Sequence, residues 1–402
     1  MFSLDRFYNI LHSNFIQPLG GQSCHFVPFG TYDNMIFFGT NGFNTHRYTM
    51  SGDPKTGGWV KCYYFDQEPF YNLEPVLDRT IKNISDHPTL SKKIHIMANS
   101  EISDLKTQYC RDYKLYNWYY FYHGFAALDW YRDFEYAHPT VFDNYQKVFI
   151  CYNHLTSKLR SYRLHLVSNL INQDLVKHGH VSLFLKDDYG TWQETVDDPD
   201  NPLDQRARAQ IKQALTGRMR PLIIDTDKPV GSLSADVKVD QLTSALWHVV
   251  TETIYYDPKL HLTEKIFKPI VSKRPFILVA APGNLAYLKR YGFKTFDRWI
   301  DESYDLEPDH YIRIEKITAE IKRLCELSPT ALKQMHREMQ DTLEYNYNHF
   351  YKDFKGVIVN EMCDNFSGIL GQINNGRQPN NHSPYHHRYE LDMEPVKKLL
   401  NQ

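Results

Sequence analysis

Net charge, paired cysteines and long apolar runs are what this 402-residue sequence has least of. It carries 46 Lys and Arg against 48 Asp and Glu, a formal charge of −2. A protein whose main work is gripping nucleic-acid phosphates is usually clearly basic, so that class is disfavoured, while a local basic surface is not. The six cysteines, at positions 24, 62, 110, 151, 325 and 363, include no Cys-x-x-Cys and no paired spacing. That excludes a zinc knuckle or a secreted disulfide framework, and reduced thiols in a cytoplasmic protein are the simplest account. No stretch approaches about 18 uninterrupted apolar residues, and the first residues lack a basic segment followed by an apolar core. The expectation is a soluble, unexported, cytoplasmic protein with no transmembrane segment. Gly-x-Gly-x-x-Gly and Gly-x-x-x-x-Gly-Lys-Ser/Thr are missing too, so neither a dinucleotide fingerprint nor a P-loop supplies a phosphate site.

Aromatic residues are present in excess: 6 Trp, 29 Tyr and 23 Phe make up 14% of the chain. Tyr and Trp join an apolar body to a polar tip, so such an excess often marks partly wet clefts and interfaces. The densest run, Tyr116-Asn117-Trp118-Tyr119-Tyr120-Phe121-Tyr122, falls in the first 145 residues together with Trp59 and Trp130. Their faces suit sugar rings or nucleobases, and the sequence does not choose between them.

Short apolar runs alternate with helical patterns: Val60–Phe65, Ile94–Met97, Val148–Tyr152, Val181–Leu185, Pro221–Ile224, His248–Thr251 and Pro275–Val279. Alternation of this kind belongs to βαβ units and a mostly parallel sheet, so the fold class is α/β. The length suits roughly two domains at about 100–200 residues each. Division is expected near residue 145, giving an acceptor-binding domain at 1–145, a donor domain at 146–328, and C-terminal helices and tail over 329–402 that pack back across the domains. Ser328-Pro329 reads as a helix start, with a pattern running to about residue 354. Between Asp187 and Asp204 lie seven carboxylates and no Lys or Arg, which predicts a mobile, solvated loop and not a core element. His386-His387 in the tail read as loop residues and not as metal ligands.

Two clusters carry chemistry. In Thr263-Glu264-Lys265, a turn delivers a hydroxyl, a carboxylate and an ammonium into the start of a short helix. Free N–H groups and a partial positive charge there can bind phosphate, and a carboxylate can accept from both hydroxyls of a ribose. The plain alternative is a capping Thr263 followed by two ordinary first-turn residues. In the second cluster Asn153 ends a strand, and Arg160 and Arg163 follow three residues apart on one expected helix face. Two such guanidiniums are placed to grip a pyrophosphate, or else form a basic solvent-facing helix end.

The order strand–Asn153–Arg160–Arg163, then His248–Thr253 with Glu252, then Thr263-Glu264-Lys265 and Pro275-Phe276-Ile277 resembles the nucleotide-sugar domain of GT-B glycosyltransferases, above all the α1,3-fucosyltransferase branch. The likeness is good over residues 147–305 and weak in the N-terminal third. Gly292–Phe296 and Asp301–Asp305 are also similar to uncharacterised viral and bacterial glycosyltransferase-like proteins. The resemblance implies two Rossmann-like domains facing a cleft, a nucleotide-sugar cosubstrate and no obligatory metal. It implies that Glu264 contacts the donor ribose, that Lys265, Arg160 and Arg163 neutralise the diphosphate, and that Glu252 sits near base, ribose or sugar.

An inverting transfer needs a base for the acceptor hydroxyl. The branch uses Glu-Ser-Pro after a strand; here Gln67-Glu68-Pro69 matches as Glu-Pro with the Ser absent, which leaves Glu68, His123 and Asp129 as candidates. Asp225-Thr226-Asp227 has an Asp-x-Asp look but reads as an acidic turn. From Lys259 to Arg298 nine Lys and Arg face only Glu264 and Asp297. That excess suits the diphosphate side of a cleft or a polyanionic acceptor, so the acceptor is a saccharide or a hydroxylated DNA base of viral type. For a viral protein the location would be the host cytoplasm. A non-catalytic carbohydrate- or nucleic-acid-binding protein, or a nucleotide-sugar epimerase of similar shape, are the alternatives.

Overall fold

A computed structural model of the chain describes residue 10 and residues 21–27, 61–66, 94–132, 145–218, 220–224 and 239–374. The chain divides into two compact units, residues 1–132 with 354–402, and residues 133–353. These limits differ from the expected 145/146 and 328/329 divisions, and the chain from residue 354 onward is counted with the first unit.

In the first unit β1 (Gly21–Val27), β2 (Lys61–Asp66), β3 (Ile94–Asn99) and β4 (Tyr116–Tyr119) form a parallel sheet in sequence order. Helix α1 (Asp104–Asp112) starts where Ser103 accepts from the Lys106 N–H at 3.1 Å, and α2 (Tyr122–Trp130) follows β4 directly. The aromatic run that the sequence suggested as a ligand-facing surface is core: Tyr116, Trp118, Tyr120, Phe121 and Tyr122 are all buried. Each such ring contributes on the order of 2–3 kcal/mol by leaving water, which is why they face inward. Trp130 is half-buried, and Trp59 lies outside the described residues.

The second unit holds a parallel sheet in the order β10-β9-β5-β6, from β5 (Lys147–Cys151), β6 (Gly179–Val181), β9 (Ala245–Thr251) and β10 (Phe276–Val279). All seven residues of β9 are buried, as a central strand with both faces covered requires. Helix α3 (Tyr162–Asn172) joins β5 to β6. At the β5–β6 pairing, a Cβ on Gly179 would lie 2.4 Å from the Phe149 ring, so only glycine fits there.

The acidic stretch is ordered, against expectation. It forms a hairpin, β7 (Lys186–Asp187) with β8 (Gly190–Thr191), and helix α4 (Trp192–Asp197), which Thr191 and Glu194 close with a capping box. The Arg208 guanidinium donates to the carbonyls of Val196, Asp198, Asn201 and Leu203, and Lys212 pairs with Asp197 at 2.7 Å. Cations from the following helix, α5 (Gln205–Leu215), thus replace the Lys and Arg that the stretch itself lacks.

After β9 come α6 (Phe267–Val271), β10, α7 (Asn284–Arg290), α8 (His310–Glu326), α9 (Pro329–Glu338) and α10 (Gln340–Lys352). Ser328 caps α9 by accepting from the Ala331 N–H at 3.1 Å, with Pro329 in its first turn, as predicted. The helical pattern continues beyond residue 354 as α11 (Phe354–Asn374), which packs on the first unit's own β4 and α2. There Trp118 meets Phe366 at 5.1 Å, and the Asn365 amide donates to the Tyr119 carbonyl at 3.0 Å. The α/β class with parallel sheets and a helical C-terminal region is the observed one. The tail with His386 and His387 lies outside the described residues.

Candidate functional site

The chain leaves β5 toward β6 on one side and leaves β9 toward β10 on the other. The crevice beyond the carboxyl ends of β5 and β9 is therefore a topological switch point, the usual ligand position in an open parallel sheet. Asn153, Arg163 and Glu252 meet around it.

Asn153 is fully buried just after β5. Its N–H donates to Ser182 Oγ at 2.7 Å and its side-chain amide to the Ser182 carbonyl at 3.1 Å, while its Oδ1 has no hydrogen-bond partner among the described residues. The loop that follows is pinned by Asp187, which accepts from the N–H groups of Thr156 (2.8 Å) and Ser157 (3.0 Å) and from Ser157 Oγ (2.6 Å). Burial pushes the Asp187 carboxyl up, but these bonds and one from the Tyr189 N–H outweigh it and hold the group below its ordinary range. Lys158 then takes a left-handed backbone (φ 53°) and lays its ammonium 4.2 Å from the Tyr189 ring centre.

Arg160 and Arg163 do not share a helix face. Arg160 ends a 3-10 turn (Lys158–Arg160), is half-buried, and its guanidinium forms no hydrogen bond or ion pair with a described residue. Arg163 belongs to α3, is 4% exposed, and is committed to main chain: it donates to the carbonyls of Leu155 (2.9 Å), Thr251 (3.0 Å) and Glu252 (3.0 Å). The Tyr162 hydroxyl joins it on the Glu252 carbonyl, and burial pushes that phenol up to about 12. Arg163 thus laces the β5 loop to the end of β9 and has little left to give a ligand.

Glu252 is wholly buried, and its carboxylate accepts from the Thr263 N–H (3.2 Å), the Thr263 hydroxyl and the Thr253 N–H (3.3 Å). Thr263 in turn caps the short helical turn Glu264–Ile266. Lys265, with 33% of its side chain exposed, holds its ammonium 3.1 Å from Thr263 Oγ1, 3.3 Å from Thr253 Oγ1 and 3.3 Å from Glu264 Oε1. The sequence motif is therefore one hydrogen-bonded unit, Glu252–Thr263–Lys265–Glu264. It fixes a part-exposed ammonium beside the buried Glu264 carboxylate.

Asp187 and Asn284 were missed by sequence reasoning. Asn284 accepts from the His261 N–H (3.0 Å) and donates to the carbonyls of Lys259 (2.9 Å) and Ala281 (2.8 Å), shaping the approach to Thr263. The available signal was Gly283 before it, whose φ of 83° marks a turn into α7. Three cations of the basic stretch 259–298 are answered from outside it. Lys273 pairs with Glu344 at 2.6 Å, Lys289 reaches Glu302 at 3.5 Å as well as Asp297, and Lys294 lies 4.0 Å from the Tyr345 ring centre.

Of the candidate bases, His123 is buried on α2, edge-on to Tyr122 at 5.0 Å, and the Asp129 carboxylate is engaged by Arg132. Glu68 lies outside the described residues, as do Asp225 and Asp227. Fully buried Glu101, just beyond β3, accepts from Ser103 Oγ at 2.7 Å. Among the described residues no group of three or more His, Cys, Asp or Glu is placed to hold a metal, and no helix is long and apolar enough to cross a membrane.

No family model matches the chain, and no curated protein sequence does. Among solved structures it is similar to a DNA-modifying β-glucosyltransferase, determined with and without uridine diphosphoglucose. The TM-score is 0.37 at 11% identity, over 74% of each chain.

Proposed function

We propose that this chain is a glycosyltransferase that moves a sugar from a nucleotide-sugar donor to an acceptor hydroxyl. The observation that carries the reading is the Lys265 ammonium held by Thr253, Thr263 and Glu264 at the switch point between β5 and β9. Lys265 neutralises the departing diphosphate, with the unengaged Arg160 as its second cation, and Glu264 receives the donor ribose. Glu252 and Arg163 position this machinery and do not touch the donor. In the transfer the acceptor oxygen attacks the anomeric carbon, the bond from that carbon to the diphosphate oxygen breaks, and the acceptor proton passes to a base, for which Glu68 is the candidate. Inversion follows from a single displacement. Cationic side chains suffice for the leaving group, so no divalent ion is obligatory, and the acceptor is a saccharide or a hydroxylated DNA base.

A panel of UDP-, GDP- and CMP-sugars read by thermal shift and slow donor hydrolysis tests this. One donor raises the melting temperature and is hydrolysed; silence from all of them sinks the reading. A non-catalytic binding protein is the second reading, favoured by the burial of His123 and the ion pairing of Asp129. It predicts donor binding with no hydrolysis and no transfer.

A further inference from the structure

We propose that the β7–β8 hairpin is the positioning device for Arg160: Asp187 and Tyr189 aim its guanidinium at the switch point, where it grips the diphosphate of a nucleotide. The proposal rests on the donor reading above and adds to it which residues, outside the crevice itself, set the affinity for a diphosphate. All of them lie within the second unit.

The first tie runs through one carboxylate. Asp187, 5% exposed, has each oxygen engaged twice: Oδ2 accepts from the N–H groups of Thr156 (2.8 Å) and Ser157 (3.0 Å), and Oδ1 from Ser157 Oγ (2.6 Å) and the Tyr189 N–H (2.9 Å). Three of those donors belong to the loop after β5 and the fourth to the hairpin turn, so one side chain joins the two. Ser157, held at its N–H and its hydroxyl, accepts in turn from the Arg160 N–H at 3.0 Å. Asp187 therefore fixes where the turn Lys158–Arg160 starts.

The second tie holds a strained residue. Lys158 sits at φ 53°, which is costly for a side chain with a Cβ. Two contacts keep it there: its ammonium lies 4.2 Å from the centre of the Tyr189 ring, and its carbonyl accepts from the Asn201 amide at 3.1 Å. Tyr189 is 55% exposed, so its ring does not serve to fill a core. At three residues per turn of 3-10 helix, a residue two further on is rotated about 240° away. Lys158 on the hairpin side thus leaves Arg160 turned from it, toward Tyr162. Burial pushes the Tyr162 phenol up and the Arg160 charge is among those that oppose it, which puts the guanidinium within electrostatic reach of the hydroxyl bonded to the Glu252 carbonyl.

The test titrates the full chain with UDP, GDP and inorganic pyrophosphate by calorimetry, in Arg160→Ala, Asp187→Asn and Tyr189→Ala and in the pairs that combine each of the last two with Arg160→Ala. Taking a negative charge from beside an anion site would by itself tighten binding. Asp187→Asn instead weakens it by roughly tenfold, as Arg160→Ala does. Tyr189→Ala, a surface change, weakens it by about two- to fivefold, and Tyr189→Phe, which keeps the ring, binds like the unaltered chain. In the Arg160→Ala background neither change has a further effect. Should Asp187→Asn fail to fold, the Tyr189 variants decide. Tighter or unchanged binding in Asp187→Asn, unchanged binding in Tyr189→Ala, equal loss in Tyr189→Phe, or losses that add to that of Arg160→Ala overturn the proposal and leave the donor reading standing. No heat from any of the three anions at millimolar concentration overturns it too, and silence from the sugar-nucleotide panel then takes the donor reading with it.

Discussion

Glu252 receives both the backbone N–H and the side-chain hydroxyl of Thr263, eleven residues further along the chain, with no water-exposed atom of its own. The end of β9 thereby sets where the Lys265 turn begins. Glu252→Ala leaves three buried donors, the N–H and hydroxyl of Thr263 and the N–H of Thr253, without their carboxylate and is expected to cost about 2–4 kcal/mol in urea unfolding. Thr263→Val in the same background adds little, because the partner is already gone, and a double-mutant cycle measures that coupling.

The two arginines separate by experiment. Arg163→Lys cannot reach three carbonyls with one ammonium and is expected to destabilise the fold by about 2–3 kcal/mol. Arg160→Ala leaves the melting temperature unchanged and weakens nucleoside-diphosphate affinity by about tenfold, reducing its salt dependence. Equal effects on stability and affinity in both variants would contradict this division.

Lys265→Met removes the ammonium from its partners and keeps the stem. Donor affinity falls with little change in stability, since the ammonium is part-exposed. Glu68→Gln instead spares donor binding and collapses turnover; retained turnover moves the base elsewhere.

Gly179→Ala drives a methyl group into the Phe149 ring and is expected to cost about 1–3 kcal/mol. Phe149→Leu in the same chain recovers part of that loss if the ring is the obstacle, as unfolding curves of the single and double variants show.

Acid stability has a buried source. Burial depresses His248 on β9 from 6.5 to about 3, aided by the charges of Arg274 and Lys268 and opposed by its contact with the Leu242 carbonyl. The folded protein keeps this ring neutral while the unfolded chain protonates it. Stability is therefore intact above about pH 6.5 and falls by up to about 1.4 kcal/mol per pH unit as pH drops toward 3. His165, also depressed by burial, acts in the same direction. Melting temperatures from pH 7.5 to 5 should fall, and His248→Gln should flatten the slope.

The α/β class was legible because β-branched runs such as His248–Thr251 can be little else than buried parallel strands, and Ser328-Pro329 announced its helix by local chemistry alone. Thr263-Glu264-Lys265 was legible as a turn with charge. What could not be read was who answers whom. Arg163 turns inward because the Leu155, Thr251 and Glu252 carbonyls converge there, and no spacing of residues reports an orphaned carbonyl. The run Tyr116–Tyr122 has a composition equally suited to a cleft and a core, and α11, more than 230 residues later, helps decide for the core. The acidic stretch 187–204 looked self-repelling because its counter-cations, Arg208 and Lys212, begin four residues beyond it.

Because α11 closes over β4 and α2, the first unit is assembled from both ends of the sequence while the second is one uninterrupted stretch. Translation then imposes an order. Residues 133–353 are all synthesised before α11 leaves the ribosome, whereas Trp118 and Phe121 wait for Phe366 and Phe354. A nascent chain stopped at residue 353 presents that aromatic surface to chaperones, and α11 ends the exposure.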